Sequence, residues 1–154
     1  MRVRRPVAAS LVVSAALALT GCAEEIPGAG TNRSLTVAVA TVFPAPPAPA
    51  GGHIDAETLK GTDLTVVGWA PMSDYDASSL TVVSSTPVSV VSAYRTIRPD
   101  VTVALNDRRL VWSGFSVTVR ATSGRTPTAV CLTSTDPVFG DSTIVGADIP
   151  GCVK

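Results

Sequence analysis

The sequence has 154 residues, enough for one domain of ordinary size, with 12 basic and 12 acidic side chains. Arg2, Arg4 and Arg5 lie in the segment 1–21, which we predict to be removed, so 9 basic and 12 acidic side chains remain and 9 − 12 gives a net charge of −3. A mildly acidic chain has no basic face of the kind that nucleic acid requires, which excludes nucleic acid as a partner.

The start of the chain is typical of a secretory signal peptide. Basic residues open it, and residues 7–19 then form an apolar run that is interrupted only by Ser10 and Ser14. A helix needs roughly 20 apolar residues to cross the core of a bilayer, so this run is short for a permanent span. We predict that residues 1–21 are a cleavable signal peptide.

The signal-like run ends in Leu19, Thr20, Gly21 and Cys22. This ending resembles the lipobox of bacterial lipoproteins, and the resemblance implies cleavage before Cys22 and attachment of lipid to its thiol. Two or three acyl chains would hold the protein firmly on the extracytoplasmic face of the cell membrane. An ordinary secretory signal followed by a chance cysteine is the alternative.

Residues 22–52 have the composition of a lipid-anchored linker. Residues 23–34 are rich in Glu, Gly, Asn and Ser, which favours a tether, whereas residues 35–43 alternate apolar and small or polar side chains and could form an extra strand. Four prolines between residues 44 and 49 and two glycines at 51 and 52 then suggest a stiff spacer and a domain boundary. A proline-rich ligand for another domain is the less common meaning of such a run.

Short β-prone runs separated by turn signals recur in residues 53–154, and they predict a nearly all-β sandwich. The runs are residues 64–70, 80–84, 88–94, 115–121 and 128–133. In residues 115–121, apolar side chains alternate with polar ones, so one face of the sheet should contact water. A short helical turn is expected only at residues 100–106, after Pro99.

Two cysteines remain if Cys22 carries lipid. These two, Cys131 and Cys152, make an even number of cysteines in an oxidising compartment, which favours one structural disulfide between the predicted strand 128–133 and the C-terminal tail. A redox pair is the alternative, but it needs close spacing and an activating neighbour.

Several short motifs in residues 52–153 together resemble a small Ig-like β-sandwich module of secreted and cell-envelope proteins of actinobacteria. The motifs are Gly52-His53-Ile54-Asp55, Gly68-Trp69-Ala70, Arg98-Pro99-Asp100-Val101, Ser113-Gly114-Phe115 and Gly151-Cys152. The sequence departs from that pattern at Pro71 and Met72, where polar and acidic turn residues are more usual. The resemblance implies an antiparallel sandwich and an envelope location, and it implies no activity.

Four side chains are candidates for contacts with a ligand or with the domain itself. Arg98 and Asp100 flank a proline, a pattern that favours a structural loop clamp over a ligand site. Trp112 and Tyr94 are the possible contact residues for a carbohydrate or protein partner. Trp69 lies between Gly68 and Ala70 in an apolar run, so we expect it in the core.

No set of residues has the composition of a metal site or a catalytic site. Asp74 and Asp76 are too few for calcium, and His53, the only histidine, stands at the linker boundary without a catalytic partner. We therefore expect no metal, no cofactor and no enzymatic activity. The sequence favours a non-catalytic binding or scaffolding module whose partner is an unknown envelope protein, with a carbohydrate- or peptidoglycan-binding module as the alternative and a hydrolase as a third, weaker hypothesis.

Overall fold

The computed structural model describes residues 32–42, 49–74, 76–127 and 130–146. These residues form nine strands, one short helix and one 3-10 turn, so the all-β prediction is confirmed. The strands are β1 (Arg33–Ser34), β2 (Thr36–Ala40), β3 (Ala50–Lys60), β4 (Asp63–Trp69), β5 (Ser79–Ser84), β6 (Val88–Thr96), β7 (Gly114–Ala121), β8 (Val130–Asp136) and β9 (Gly140–Val145), and the helix is α1 (Pro99–Ala104).

The nine strands form one mixed sheet in the order β1-β6-β7-β4-β3-β9-β8-β5-β2. Six of the eight neighbouring pairs are antiparallel, as expected. The other two pairs, β2 with β5 and β3 with β9, are parallel, so the prediction of a wholly antiparallel arrangement is wrong for them. Parallel neighbours need a crossover connection rather than a hairpin, and in both pairs other strands separate the two partners along the chain.

The two ends of the sheet meet at Leu35. β1 and β2 are the outermost strands of the sheet, yet in the chain they are separated by this one residue, which is buried. Because consecutive Cα atoms are about 3.8 Å apart, the first and last strands must lie side by side. The sheet therefore curls around a single core.

The core is built from alternating positions of the curled sheet. On β7, Phe115, Val117, Val119 and Ala121 are buried, which confirms the apolar half of the predicted alternation. On the predicted wet face only Arg120 is exposed, because Ser116 is buried and Thr118 is half-buried. Side chains from the other half of the sheet join the same cluster, among them Leu80, Val82, Leu132 and Ile144. One continuous core thus holds both halves of the sheet together.

The sheet begins earlier than the domain boundary predicted at residue 53. Residues 36–40 form β2, and β3 starts at Ala50. The proline-rich run thus lies between two strands of one sheet, so it connects parts of the domain rather than preceding it. The predicted signal peptide, Cys22, the phenylalanine at 43 and Cys152 lie outside the described residues.

The helix α1 forms where a helical turn is expected. Pro99 occupies its first turn, where a missing amide hydrogen is tolerated, and Asn106 ends the turn with a left-handed φ of 50°. Among the described residues no helix is both long and apolar enough to span a membrane.

Candidate functional site

Three connections meet at one end of the sheet, here called the upper end: residues 70–78, 97–113 and 137–139. Of the described residues, only two charged side chains are almost fully buried, Arg95 and Asp136, and both lie there. A buried charge is unfavourable unless it is paired or hydrogen-bonded, so these two residues mark the part of the molecule with the strongest polar requirements.

Asp136, the last residue of β8, organises two of the three connections. Its Oδ2 accepts hydrogen bonds from the Ser73 amide at 2.7 Å, the Ser73 hydroxyl at 2.8 Å and the Ser78 hydroxyl at 2.5 Å. Its Oδ1 accepts from the amides of Val138 and Phe139 at 2.7 and 2.9 Å. One carboxylate therefore fixes both the β4–β5 connection and the turn into β9.

The hydrogen bonds keep this carboxylate charged. Burial acts to raise the pKa of Asp136, but the Ser78 hydroxyl and the amides of Ser73, Phe139 and Val138 outweigh it and hold the pKa below its ordinary value. At neutral pH the group is an ion with five donors, so its binding capacity is already used within the domain.

Arg95 holds backbone carbonyl groups in two of the connections, as Asp136 holds amides and hydroxyls. The side chain is 2 % exposed, and it donates from Nε to the Trp112 carbonyl at 2.9 Å and from Nη2 to the Ser73 carbonyl at 2.5 Å. Burial lowers the pKa of Arg95, and Asp74 acts in the opposite direction. Arginine stays protonated in proteins, so this guanidinium is a permanent clamp between two connections.

The ring of Trp112 is covered by an arginine. The Arg33 guanidinium lies 4.0 Å from the ring centroid, and its Nη1 makes an ion pair with Asp74 Oδ1 at 2.6 Å. Trp112 is 8 % exposed, and the ring face on which a sugar would stack is the one that Arg33 covers, so the role of Trp112 as a ligand or partner contact stays a prediction. The attraction between a cation and the negative face of an aromatic ring holds Arg33 in this position.

Tyr94 and Trp112 do not form a joint aromatic surface. Arg33 pairs with Arg95 across the two strands, and cross-strand partners share a face, so both extend to the side where Arg33 meets Trp112. Tyr94, the neighbour of Arg95, is half-buried and extends to the opposite face. Any carbohydrate contact would therefore have to use the two rings separately.

Arg98 and Asp100 are brought together as the clamp hypothesis expects. Arg98 Nε and Nη2 donate to the two carboxylate oxygens of Asp100 at 2.9 and 2.6 Å, and Nη1 pairs with Asp55 on β3 at 2.5 Å. The hydrogen bonds between these two side chains lower the pKa of Asp100 to about 2 and raise the pKa of Arg98. The fork ties the start of α1 to β3.

The other candidate residues are apart from this network. Trp69 is only half-buried, contrary to expectation, because it extends from β4 on the side away from the core residue Val66. His53, its cross-strand neighbour, is exposed. In the described ranges no group of three or more His, Cys, Asp or Glu side chains could hold a metal ion.

Cys131 is buried on β8, and Cys152, its expected partner, lies outside the described residues, so the disulfide stays a prediction.

The opposite end of the sheet, here called the lower end, has an open cleft of about 510 Å³. It is lined by Gly61, Thr62, Thr86, Gly124, Arg125 and Thr126. A lining of glycine and threonine with a single arginine suits no particular ligand class.

The sequence did not reveal Asp136 or Arg95 as important residues. The β6 register shifts between Val90 and Ser92, so counting alternate residues from Val88 places Arg95 on the wrong face. The only available signal for Asp136 is its place before a proline at the end of a β-prone run.

Comparison of the chain with protein-family models, with curated proteins and with solved structures found no match.

Proposed function

We propose that this chain is a non-catalytic binding or scaffolding module, anchored by lipid on Cys22 to the extracytoplasmic face of the cell membrane, with an envelope protein as its partner. The observation that supports the scaffolding role is the use of Asp136 and Arg95 as hydrogen-bonding centres for loop backbone. Charges committed in this way stabilise a fixed surface, which is what a recognition module needs.

The position of β1 in the chain limits the distance between such a module and the membrane. Only the short segment 23–32 separates Cys22 from Arg33, the first residue of the sheet. A chain of that length spans at most about 40 Å when fully extended. The domain would therefore stay close to the bilayer, with its upper end nearest the anchor because β1 pairs with the upper part of β6.

The Ig-like sandwich and the disulfide between Cys131 and Cys152 are part of the same proposal. A sheet whose ends meet around one core is compatible with an Ig-like sandwich, and burial of Cys131 suits a disulfide with Cys152. On the chain-entropy model this bridge would contribute about 3 kcal/mol. Alkylation of the unfolded protein before and after reduction tests it: no thiol should react before reduction, and reaction of both would reject the bridge.

The anchor is tested by fractionation and labelling. The parent protein should require detergent for extraction and incorporate labelled fatty acid, whereas Cys22→Ala should do neither. Recovery of unlabelled parent protein in the aqueous fraction would contradict the proposal.

The binding role is tested by crosslinking in cells from three exposed positions. A photoreactive residue replaces Asp76 at the upper end, Arg125 at the lower end or Ser92 on β6, all three exposed. A binding module should give one discrete crosslinked protein from one position and not from the others. The same diffuse products from all three positions would argue against a specific partner.

A further inference from the structure

Arg33, Trp112 and Asp74 together have the composition of a cation-binding site. The guanidinium is attracted by the face of the indole ring at 4.0 Å and by the carboxylate at 2.6 Å. Proteins recognise cationic groups of other molecules with the same pair of elements, an aromatic face and an acidic group. Here the cation comes from the first strand of the domain itself.

We propose that Trp112 and Asp74 form a binding site for the guanidinium group of an arginine in a partner protein, and that Arg33 occupies this site until such an arginine displaces it. This inference rests on the proposed binding function and names the site and the ligand chemistry that would serve it.

The strand that supplies Arg33 is suited to exchange. β1 has two residues and pairs with β6 only at Arg95 and Tyr94. The side chains of Arg33 and Asp74 remain 42 % and 53 % exposed, so water competes for both and another guanidinium can reach them. A buried ion pair would not allow this exchange.

The charges around the site favour a cation, because the two carboxylates of Asp74 and Asp76 outnumber the one fixed guanidinium of Arg95. Asp76 lies exposed in the same connection as Asp74, and Arg95 beneath them is held in place by backbone carbonyls. Asp74 and Asp76 act to raise the pKa of Arg95 while Arg33 acts to lower it, which places these four charges within reach of one another. Without Arg33, the carboxylates at the surface lose their mobile counter-charge, and an incoming cation restores it.

Displacement of Arg33 would also couple the site to the anchor. Arg33 is the first residue of the sheet, so a partner that displaces its side chain acts where the segment from Cys22 joins the domain. A partner that supplies its own arginine would therefore bind the end of the domain that lies nearest the anchor.

The test uses the fluorescence of Trp112 in the full chain. Trp69→Phe leaves Trp112 as the only tryptophan. N-acetyl-arginine amide is then titrated into the Trp69→Phe chain, which is the parent here, and into the same chain with Arg33→Ala added. The built-in arginine competes with the added compound, so Arg33→Ala should lower the half-saturation concentration, by a factor of one plus the ratio of the effective concentration of Arg33 to the dissociation constant of the compound.

Three controls make the result specific. Asp74→Asn in the Arg33→Ala chain should abolish saturation, and neutral N-acetyl-citrulline amide should give none. Arg109→Ala removes another arginine that pairs with an aspartate and lies 5.0 Å from an aromatic ring, that of Phe139, and it should behave like the parent. Arg33→Gln, which keeps much of the side-chain stem, repeats the test in case Arg33→Ala fails to fold.

No saturable response, equal response to the citrulline compound, or equal enhancement by Arg109→Ala would each overturn the proposal. Crosslinking to a single partner in cells does not depend on this outcome. Failure of the arginine site is thereby distinguished from failure of the binding function.

Discussion

The two ends of the sheet reverse the chain in different ways. At the lower end two connections are short, residues 61–62 and 85–87, and the third runs from residue 122 to residue 129. Gly61 and Gly124 provide the left-handed φ values of 62° and 70° that tight turns need. At the upper end two connections are longer, residues 70–78 and 97–113, and the third is the short turn 137–139. Asp136 and Arg95 hold these connections by hydrogen bonds to backbone groups.

The difference shows what each kind of connection requires. A two-residue turn satisfies its own backbone, so a residue with the right conformational freedom is sufficient. A long connection packed over the end of a core buries backbone groups that need partners from elsewhere. The buried charges at the upper end satisfy such groups in residues 70–78 and 97–113, so mutations should affect the two ends unequally.

Asp136→Ala should have the largest effect of the variants considered. It removes the acceptor of five hydrogen bonds and leaves buried donors from Ser73 and Ser78 without it, so we expect a loss of about 3–5 kcal/mol in the free energy of unfolding. Urea denaturation followed by circular dichroism measures this loss. Asp141→Ala, which removes an exposed carboxylate on the adjacent strand, is the matched control and should leave the midpoint unchanged. Equal effects would contradict the special role of Asp136.

Acid should reproduce part of the Asp136 effect. The pKa of Asp136 is lower in the folded chain than its ordinary value, so its contribution to stability is present above about pH 4 and is lost as the pH falls through the folded-state pKa. The difference in unfolding free energy between the parent and Asp136→Asn should be constant from pH 7 to 5 and shrink towards pH 2. A difference that grows on acidification would mean that burial, not hydrogen bonding, dominates this carboxyl.

Arg98→Ala should have a smaller effect at the upper end. The side chain links Asp55 on β3 to Asp100 at the start of α1 and is 20 % exposed, so water replaces part of what is lost. We expect a loss of about 1 kcal/mol and faster amide hydrogen exchange in α1. Arg108→Ala, an exposed arginine in the same connection, controls for the change in charge. Unchanged exchange in α1 would show that the fork does not hold the helix.

The structure and the sequence agree where interactions are local. The alternation of β7 and the Arg98–Asp100 pair, two residues apart, could be predicted because a short window contains all the information. The partners of Asp136 are 58 and 63 residues away, so no spacing rule identifies them. β3 was missed for a related reason: residues 55–60 are exposed, and this half of the strand is held by backbone pairing with β4 rather than by an apolar pattern.

The smallest effect is expected at the lower end, from the ion pair between Asp63 on β4 and Arg120 on β7. Arg120 Nε and Nη2 meet the two oxygens of Asp63 at 2.5 and 2.7 Å, and the arginine is 53 % exposed. The hydrogen bond from Arg120 lowers the pKa of Asp63, yet solvent and salt screen a pair of this kind.

Asp63→Asn should therefore shift the urea midpoint slightly at low ionic strength and not measurably in 1 M NaCl, where the screening length falls to about 3 Å. A double-mutant cycle with Arg120→Gln isolates the coupling between the two side chains. A coupling that persists in high salt and approaches the effect of Asp136→Ala would remove the distinction between the two ends of the sheet. An exposed pair beside a short turn would then stabilise the fold as strongly as a buried carboxylate beneath a long connection.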